Sequence, residues 1–283
     1  MERYEKIMEG VHDHFEEALQ YFPKDNIVGI FLQGSQNYGL DTENSDIDTK
    51  LIVTPTWEDI CFNRKPVSTT YHRENDEHID LKDIRLYIQT FRKQNLNFVE
   101  ILFTKYKIIN PRYANSWNRL VENREAIARY NPAGAVKTMK GIALEKFHAM
   151  EHRYPSKIDI IDRYGYDPKQ LHHLRRVDEF LSRYIAGVKY ENCLTSLIAE
   201  DLKREKMKAR PLEEAREAAI FYKNHVEQMH DAFIAENEMT ADAAVDELLD
   251  SVQCEIMEKA IYRELNDKYM EKMIEALERR GVI

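Results

Sequence analysis

The chain has 283 residues, 41 of them Lys or Arg and 50 Asp or Glu, for a formal net charge of −9. A composition that is 43% hydrophobic and 32% charged excludes both a membrane bundle and a disordered chain. The acidic balance argues against indiscriminate coating of nucleic acid and leaves room for a local basic groove.

In chain order, Tyr4, Ile7, Val11, Phe15 and Ala18 recur at helical spacing and predict a helix over residues 4–22, stopped at Pro23. The apolar run 27–32 suits a buried strand and ends in Gln33-Gly34-Ser35. Residues 46–53 read as a second strand closed before Pro55, and 55–77 as a loop or hairpin. Residues 78–82 alternate polar and apolar, which predicts a short third strand. From Asp83, the positions Ile84, Tyr87, Ile88 and Phe91 return to helical period. Residues 98–103 are ambiguous between helix and strand.

Beyond about residue 110 the pattern is helical. Asn131-Pro132 and Asp167-Pro168 are helix starts, Asn or Asp as cap and Pro in the first turn, and Gly187 is a stop for the second of these helices. Residues 211–236 and 240–280 predict two further helices. The expected fold class is α+β: a small mixed-sheet core over 1–110, then an all-helical domain over 111–283. Cys61, Cys193 and Cys254 are far apart without a CxxC pair, so no disulfide or zinc framework is expected. With no apolar leader and no 18-residue apolar run, a cytoplasmic protein without a membrane partner is expected.

The informative segment is the strand ending in Gly34-Ser35, then ten residues, then Asp46-Ile47-Asp48. A Gly-Ser turn lets backbone N–H groups approach a phosphate closely. Side chains two apart on a strand share a face, so Asp46 and Asp48 are expected side by side. Mutual repulsion of two carboxylates is relieved by a hard divalent cation, Mg2+ or Mn2+. Asp80, in the third alternating stretch, is a candidate third ligand for two metals about 4 Å apart, with Asp83 as the nearby alternative. A lone Asp-x-Asp is more often a solvated strand face; the Gly-Ser turn just ahead makes this one specific.

Gly34-Ser35 followed by Asp46-x-Asp48 resembles the signature of the DNA polymerase beta-like nucleotidyltransferase superfamily. The longer string over 34–48, with Tyr38-Gly39 and Ser45-Asp46-x-Asp48, is similar to one branch, the predicted nucleotidyltransferases associated with RNA ligases and RNA repair. Residues 93–100 resemble that branch's Asn-Pro-x-x-x-Glu stretch, with Leu96 in place of the proline, and Tyr166-Asp167-Pro168-Lys169 through His173 and Arg176 resembles its Tyr-Asp-x-Lys, His, Arg helix. The resemblance covers roughly residues 27–187. It implies transfer of a nucleoside monophosphate from a nucleoside triphosphate to an acceptor hydroxyl, with RNA among the candidate acceptors. It further implies Asp46, Asp48 and Asp80 as catalytic metal ligands, and Gly34, Ser35, Lys169, His173 and Arg176 as nucleotide-binding residues.

On the helix after Asp167, Leu171, Leu174, Val177, Leu181 and Ile185 make the apolar stripe. Lys169, His173, Arg176 and Arg183 make a separate basic one, interrupted by Phe180. The stripe is either a triphosphate clamp or ordinary solvated surface; His172 points away from it as a partly buried histidine. The basic run 203–210 is either a solvated helix end or a polynucleotide contact, and Glu100 is expected to cap or pair structurally. The alternative to an enzyme is a non-catalytic nucleotide- or RNA-binding module that partners an RNA-repair enzyme.

Overall fold

The computed structural model describes residues 2–42, 45–75 and 77–280. Helix α1 (Glu2–Ala18) turns Ile7, Val11 and Ala18 inward, and strand β1 (Ile27–Gln33) follows. Strand β2 (Asp48–Val53) starts two residues later than the sequence pattern predicts, so Asp46 stands ahead of it and the expected Asp46/Asp48 pair on one strand face does not form. Between residues 55 and 77 lie helix α2 (Trp57–Cys61), opened by a Thr56/Asp59 capping box, and strand β3 (Ser68–His72). The polar β3 sequence lacks a buried apolar face because β3 is an edge strand.

Strand β4 (His78–Asp83) hands over directly to helix α3 (Ile84–Arg92). The ambiguous segment resolves into helix α4 (Leu96–Val99) and a 3-10 turn over Glu100–Leu102. A fifth strand that sequence reasoning missed, β5 (Lys107–Ile109), then pairs with β1. The sheet order is β3-β4-β2-β1-β5, with β2 and β4 parallel and the other neighbours antiparallel.

The rest of the described chain is helical: α5 (Pro111–Glu122), α6 (Arg124–Ala128), α7 (Pro132–Ala149), α8 (Ile158–Tyr164), α9 (Pro168–Ile185), α10 (Tyr190–Leu194), α11 (Ala199–Met207), α12 (Leu212–Glu236) and α13 (Ala243–Arg279). The Asn131 and Asp167 side chains cap α7 and α9, accepting from the Gly134 and Lys169 N–H groups at 2.8 and 2.9 Å. Gly187, at φ 80°, ends α9 in the left-handed region. The architecture is α+β, a small mixed sheet followed by helices. Among the described residues no helix is long and apolar enough to cross a membrane, and the three cysteines are free.

Both sheet faces are covered, which is why β1 is apolar almost throughout. On one face α1 packs over Ile30, Leu32, Leu51, Val53, Ile79 and Leu81. On the other, Val28, Phe31 and Ile52 enter a larger core that runs on through Tyr87, Trp117, Leu174 and Leu181. That continuity holds the helical part over the second sheet face.

Candidate active site

Strand register assembles the site. Gln33 pairs with Asp48 across β1 and β2, so the Gly34-Ser35 turn and the start of β2 share one end of the sheet. Lys50 stands opposite Asp80 across the parallel β2–β4 pair. With a period of two, Asp48 and Lys50 on β2 share a face with His78 and Asp80 on β4. Between that face and helices α7 and α9 is a cavity of about 560 Å³, also lined by Ser35, Lys146, His173 and Arg176. This is within the range of small-ligand sites, roughly 300–1,000 Å³.

Gly34 has φ 87° and ψ −160°, a region essentially confined to glycine, which costs a residue with a Cβ about 1–3 kcal/mol. A Cβ there would meet nothing within 4 Å, so the backbone, not packing, selects glycine. The N–H expected to meet phosphate donates instead to the Glu100 carboxylate at 3.1 Å. The turn is fixed from below by Asn37, which donates to the Leu32 carbonyl at 2.9 Å and accepts from the Thr104 hydroxyl at 2.6 Å.

The carboxylates have partners. Asp48 accepts from the His78 main-chain N–H at 3.1 Å and lies 2.8 Å from His78 Nδ1; this contact raises the imidazole pKa above its ordinary value. Asp80 accepts from Lys50 Nζ at 2.8 Å and meets Lys82 Nζ at 3.4 Å. Burial opposes ionisation of Asp80, yet the two ammonium groups hold its carboxyl below the usual range. Lys50 is only 3% exposed and its Nζ lies 3.9 Å from the Phe98 ring centroid, a cation–π contact. Burial lowers the Lys50 pKa, and Asp80 opposes that shift. Asp83 is elsewhere: it caps α3 through the Arg85 N–H at 2.8 Å and grips the Arg85 guanidinium at 2.6 and 2.9 Å. Asp80, not Asp83, is therefore the cavity carboxylate on β4.

The basic stripe of α9 divides. His173 and Arg176 line the cavity; Lys169 is exposed and does not. Arg183 is spent on the Thr195 and Asn192 carbonyls at 2.6 and 2.8 Å. Burial, with His172 and Arg176 adding to it, pushes His173 well below its ordinary pKa, so it offers a neutral hydrogen-bonding imidazole and not the expected cation. His172 is more buried than expected, is bonded through Nδ1 to the Leu202 carbonyl at 2.8 Å, and forms part of the cavity wall. The Arg176 guanidinium stacks 3.8 Å from the Tyr38 ring centroid, and its buried Nη2 has no hydrogen-bond partner among the described residues. A buried cationic donor without a partner is poised for an anion oxygen.

Sequence reasoning missed Lys50, His78 and Lys146. For the first two the signal was present: each lies two residues from a singled-out aspartate on its own strand, and so on the same face. Nothing in the α7 sequence distinguishes Lys146 from its neighbours.

Magnesium and manganese require oxygen donors gathered on one centre. Among the described residues no three His, Cys, Asp or Glu side chains stand together as a metal site. Asp48 is engaged by His78 and Asp80 by Lys50, while Asp46 is exposed and outside the cavity lining. As arranged, the expected ligands do not fit a two-metal centre.

No protein-family model matches the chain, and no curated protein matches it. Among solved structures it is similar to a nucleotidyltransferase-like protein from Exiguobacterium sibiricum 255-15, at 10% identity over 97% of this chain and 91% of that one, with a TM-score of 0.30. A likeness that loose carries no argument about fold or chemistry.

Proposed function

We propose that the chain is a nucleotidyltransferase that moves a nucleoside monophosphate from a nucleoside triphosphate to an acceptor hydroxyl. One observation carries the reading: Gly34-Ser35, Asp48, Asp80, His173 and Arg176, singled out from motifs about 140 residues apart in the chain, line one cavity. Arg176 meets the triphosphate with a planar donor fork. Neutral His173 adds a hydrogen bond, and Lys146 a point charge. The acceptor oxygen attacks the α-phosphorus in line, the bond to pyrophosphate breaks, and the hydroxyl proton passes to a cavity carboxylate, Asp48 or Asp80.

Magnesium, with manganese as its substitute, belongs to this proposal as an expectation of the motif, and no step above depends on it. RNA as acceptor stands in the same position. The basic run over 203–210 is largely offset within the chain, Lys203 by Glu200, Arg204 by Asp201 and Arg210 by Glu205, so the run gives RNA little support. The engaged state of both cavity carboxylates favours a second reading, a non-catalytic nucleotide- or RNA-binding module.

Thermal shift with ATP, GTP, CTP and UTP, each with and without magnesium, tests the shared premise of both readings. A ligand selective for the native state stabilises it by about 2.7 kcal/mol at a hundredfold excess over Kd. At least one triphosphate is expected to raise Tm. Flat shifts with all four nucleotides under both conditions would remove the nucleotide site.

A further inference from the structure

Glu100 is a buried carboxylate on the 3-10 turn after α4, 4% exposed, and the one hydrogen bond of its side chain among the described residues comes from the Gly34 N–H at 3.1 Å. Opposite it, on α9, is Arg176, whose charge favours the carboxylate but which makes no ion pair with it within 4 Å among the described residues. Its Nη2 is buried and, among the described residues, unpartnered. On α10 the buried Tyr190 hydroxyl, also without a partner among the described residues, lies within reach of the charges of Glu100 and Arg176. The cavity that Glu100 lines also presents Lys50, Asp80, Lys146, His172 and His173, and beyond them the Asp48–His78 pair. The Glu100 carboxylate takes the Gly34 N–H, and the guanidinium opposite keeps a buried donor open to a second, incoming anion.

We infer that Glu100 is the positioning residue of the phosphate cradle: it holds the Gly34 peptide in place, and it takes up a proton when a polyanion enters beside Arg176. The inference rests on the triphosphate site proposed above. A polyanion arriving beside a buried carboxylate that lacks a close cation meets like-charge repulsion, and neutralising the carboxylate relieves it. Protonated Glu100 still accepts from Gly34, so the turn keeps its shape while the charge disappears. The group is prepared for this: burial lifts its pKa to about 7, against the opposing effects of Arg176 and the Gly34 N–H.

The sign is fixed by linkage. Well below its raised pKa Glu100 is mostly protonated in the free protein, and binding draws in little. Above that pKa binding draws a proton in, so affinity falls as pH rises, by up to about tenfold per pH unit.

The experiment measures ATP and inorganic tripolyphosphate affinity from pH 6 to 9 on the full chain, for wild type, Glu100→Gln and Glu100→Leu. The probes' own phosphate ionisations are common to all three proteins and cancel between them. Wild type is expected to lose affinity above pH 7 relative to Glu100→Gln, which keeps the acceptor for Gly34 and lacks the proton. Glu100→Leu, which removes the acceptor, is expected to bind more weakly at every pH. Calorimetry of wild type at pH 8, in two buffers of different ionisation heat, is expected to show uptake approaching one proton, and it needs no variant to fold. Equal pH slopes in wild type and Glu100→Gln, or no proton uptake at pH 8, would overturn the role of Glu100 while leaving the nucleotide site intact. Binding of tripolyphosphate with this pH pattern but without ATP binding would instead sink the nucleotidyl-transfer reading and support the cradle. Failure of both probes at every pH would overturn both.

Discussion

Arg176 and Leu174 sit two residues apart on α9 and should fail in opposite ways. Leu174 is fully buried in the larger core, so Leu174→Ala should lower stability by about 2–5 kcal/mol and leave the affinity of the folded fraction nearly unchanged. Arg176 holds its unpartnered Nη2 in the cavity wall. Removing a charge-assisted hydrogen bond costs about 1.5–3 kcal/mol, so Arg176→Ala should weaken triphosphate binding about tenfold to a hundredfold. Arg176→Lys should recover only part of it, because an ammonium lacks the planar fork. Urea titration together with calorimetric nucleotide binding separates the two effects. Equal affinity of Arg176→Ala and wild type would reduce the α9 stripe to surface. His173 belongs to the same scale: because burial keeps it neutral, His173→Ala should cost a similar factor in affinity at pH 6 and at pH 8.

At the scale of elements, α9 is presented to the cavity by its cap. Asp167 is 3% exposed, accepts from the Lys169 N–H at 2.9 Å and also from Gln170 Nε2 at 3.1 Å. Asp167→Ala should cost about 0.5–2 kcal/mol of stability, read as a lower urea midpoint at unchanged slope, whereas Asp167→Asn should cost clearly less. Caps of this kind were legible in the sequence because Asn-Pro and Asp-Pro carry their own local chemistry. So were β1, a short apolar run bounded by turn residues, and β4 and α3, whose apolar period leaves one reading. What the sequence hid depends on tertiary partners. β3 has no apolar alternation because it is an edge strand, and β5 is only three residues long and is defined by its pairing with β1. The start of β2 was misplaced because Asp46 and Ile47 continue the strand's alternation, whereas the pairing with β1 stops at Asp48 opposite Gln33. The site was half legible. Side-chain period placed Asp48 and Asp80 on one face, but the same period placed Lys50 and His78 beside them, and only the cross-strand register shows that these two engage the carboxylates. A helical wheel could not separate Arg176 from Lys169 and Arg183, since which part of a stripe meets the sheet depends on packing.

At the scale of the whole molecule, the sheet's second face and the helical part share one core, with Val28 and Phe31 of β1 clustered with Trp117 of α5 and Leu174 of α9. That shared core closes the cavity with Lys146, His173 and Arg176 above and Asp48 and Asp80 below. Transfer in this cavity, and not binding alone, separates the enzyme from the binding module. The most direct measurement follows pyrophosphate release and label transfer from the four α-labelled triphosphates, with magnesium, to a panel of hydroxyl acceptors that includes tRNA, nicked RNA and small molecules. The panel is run with wild type, Asp48→Asn and Asp80→Asn, all three checked for equal folding. Wild type is expected to transfer label to at least one acceptor, with a loss of at least about a hundredfold, or about 2.7 kcal/mol of transition-state stabilisation, in each variant. Near wild-type turnover in both variants would rule out catalysis by these carboxylates.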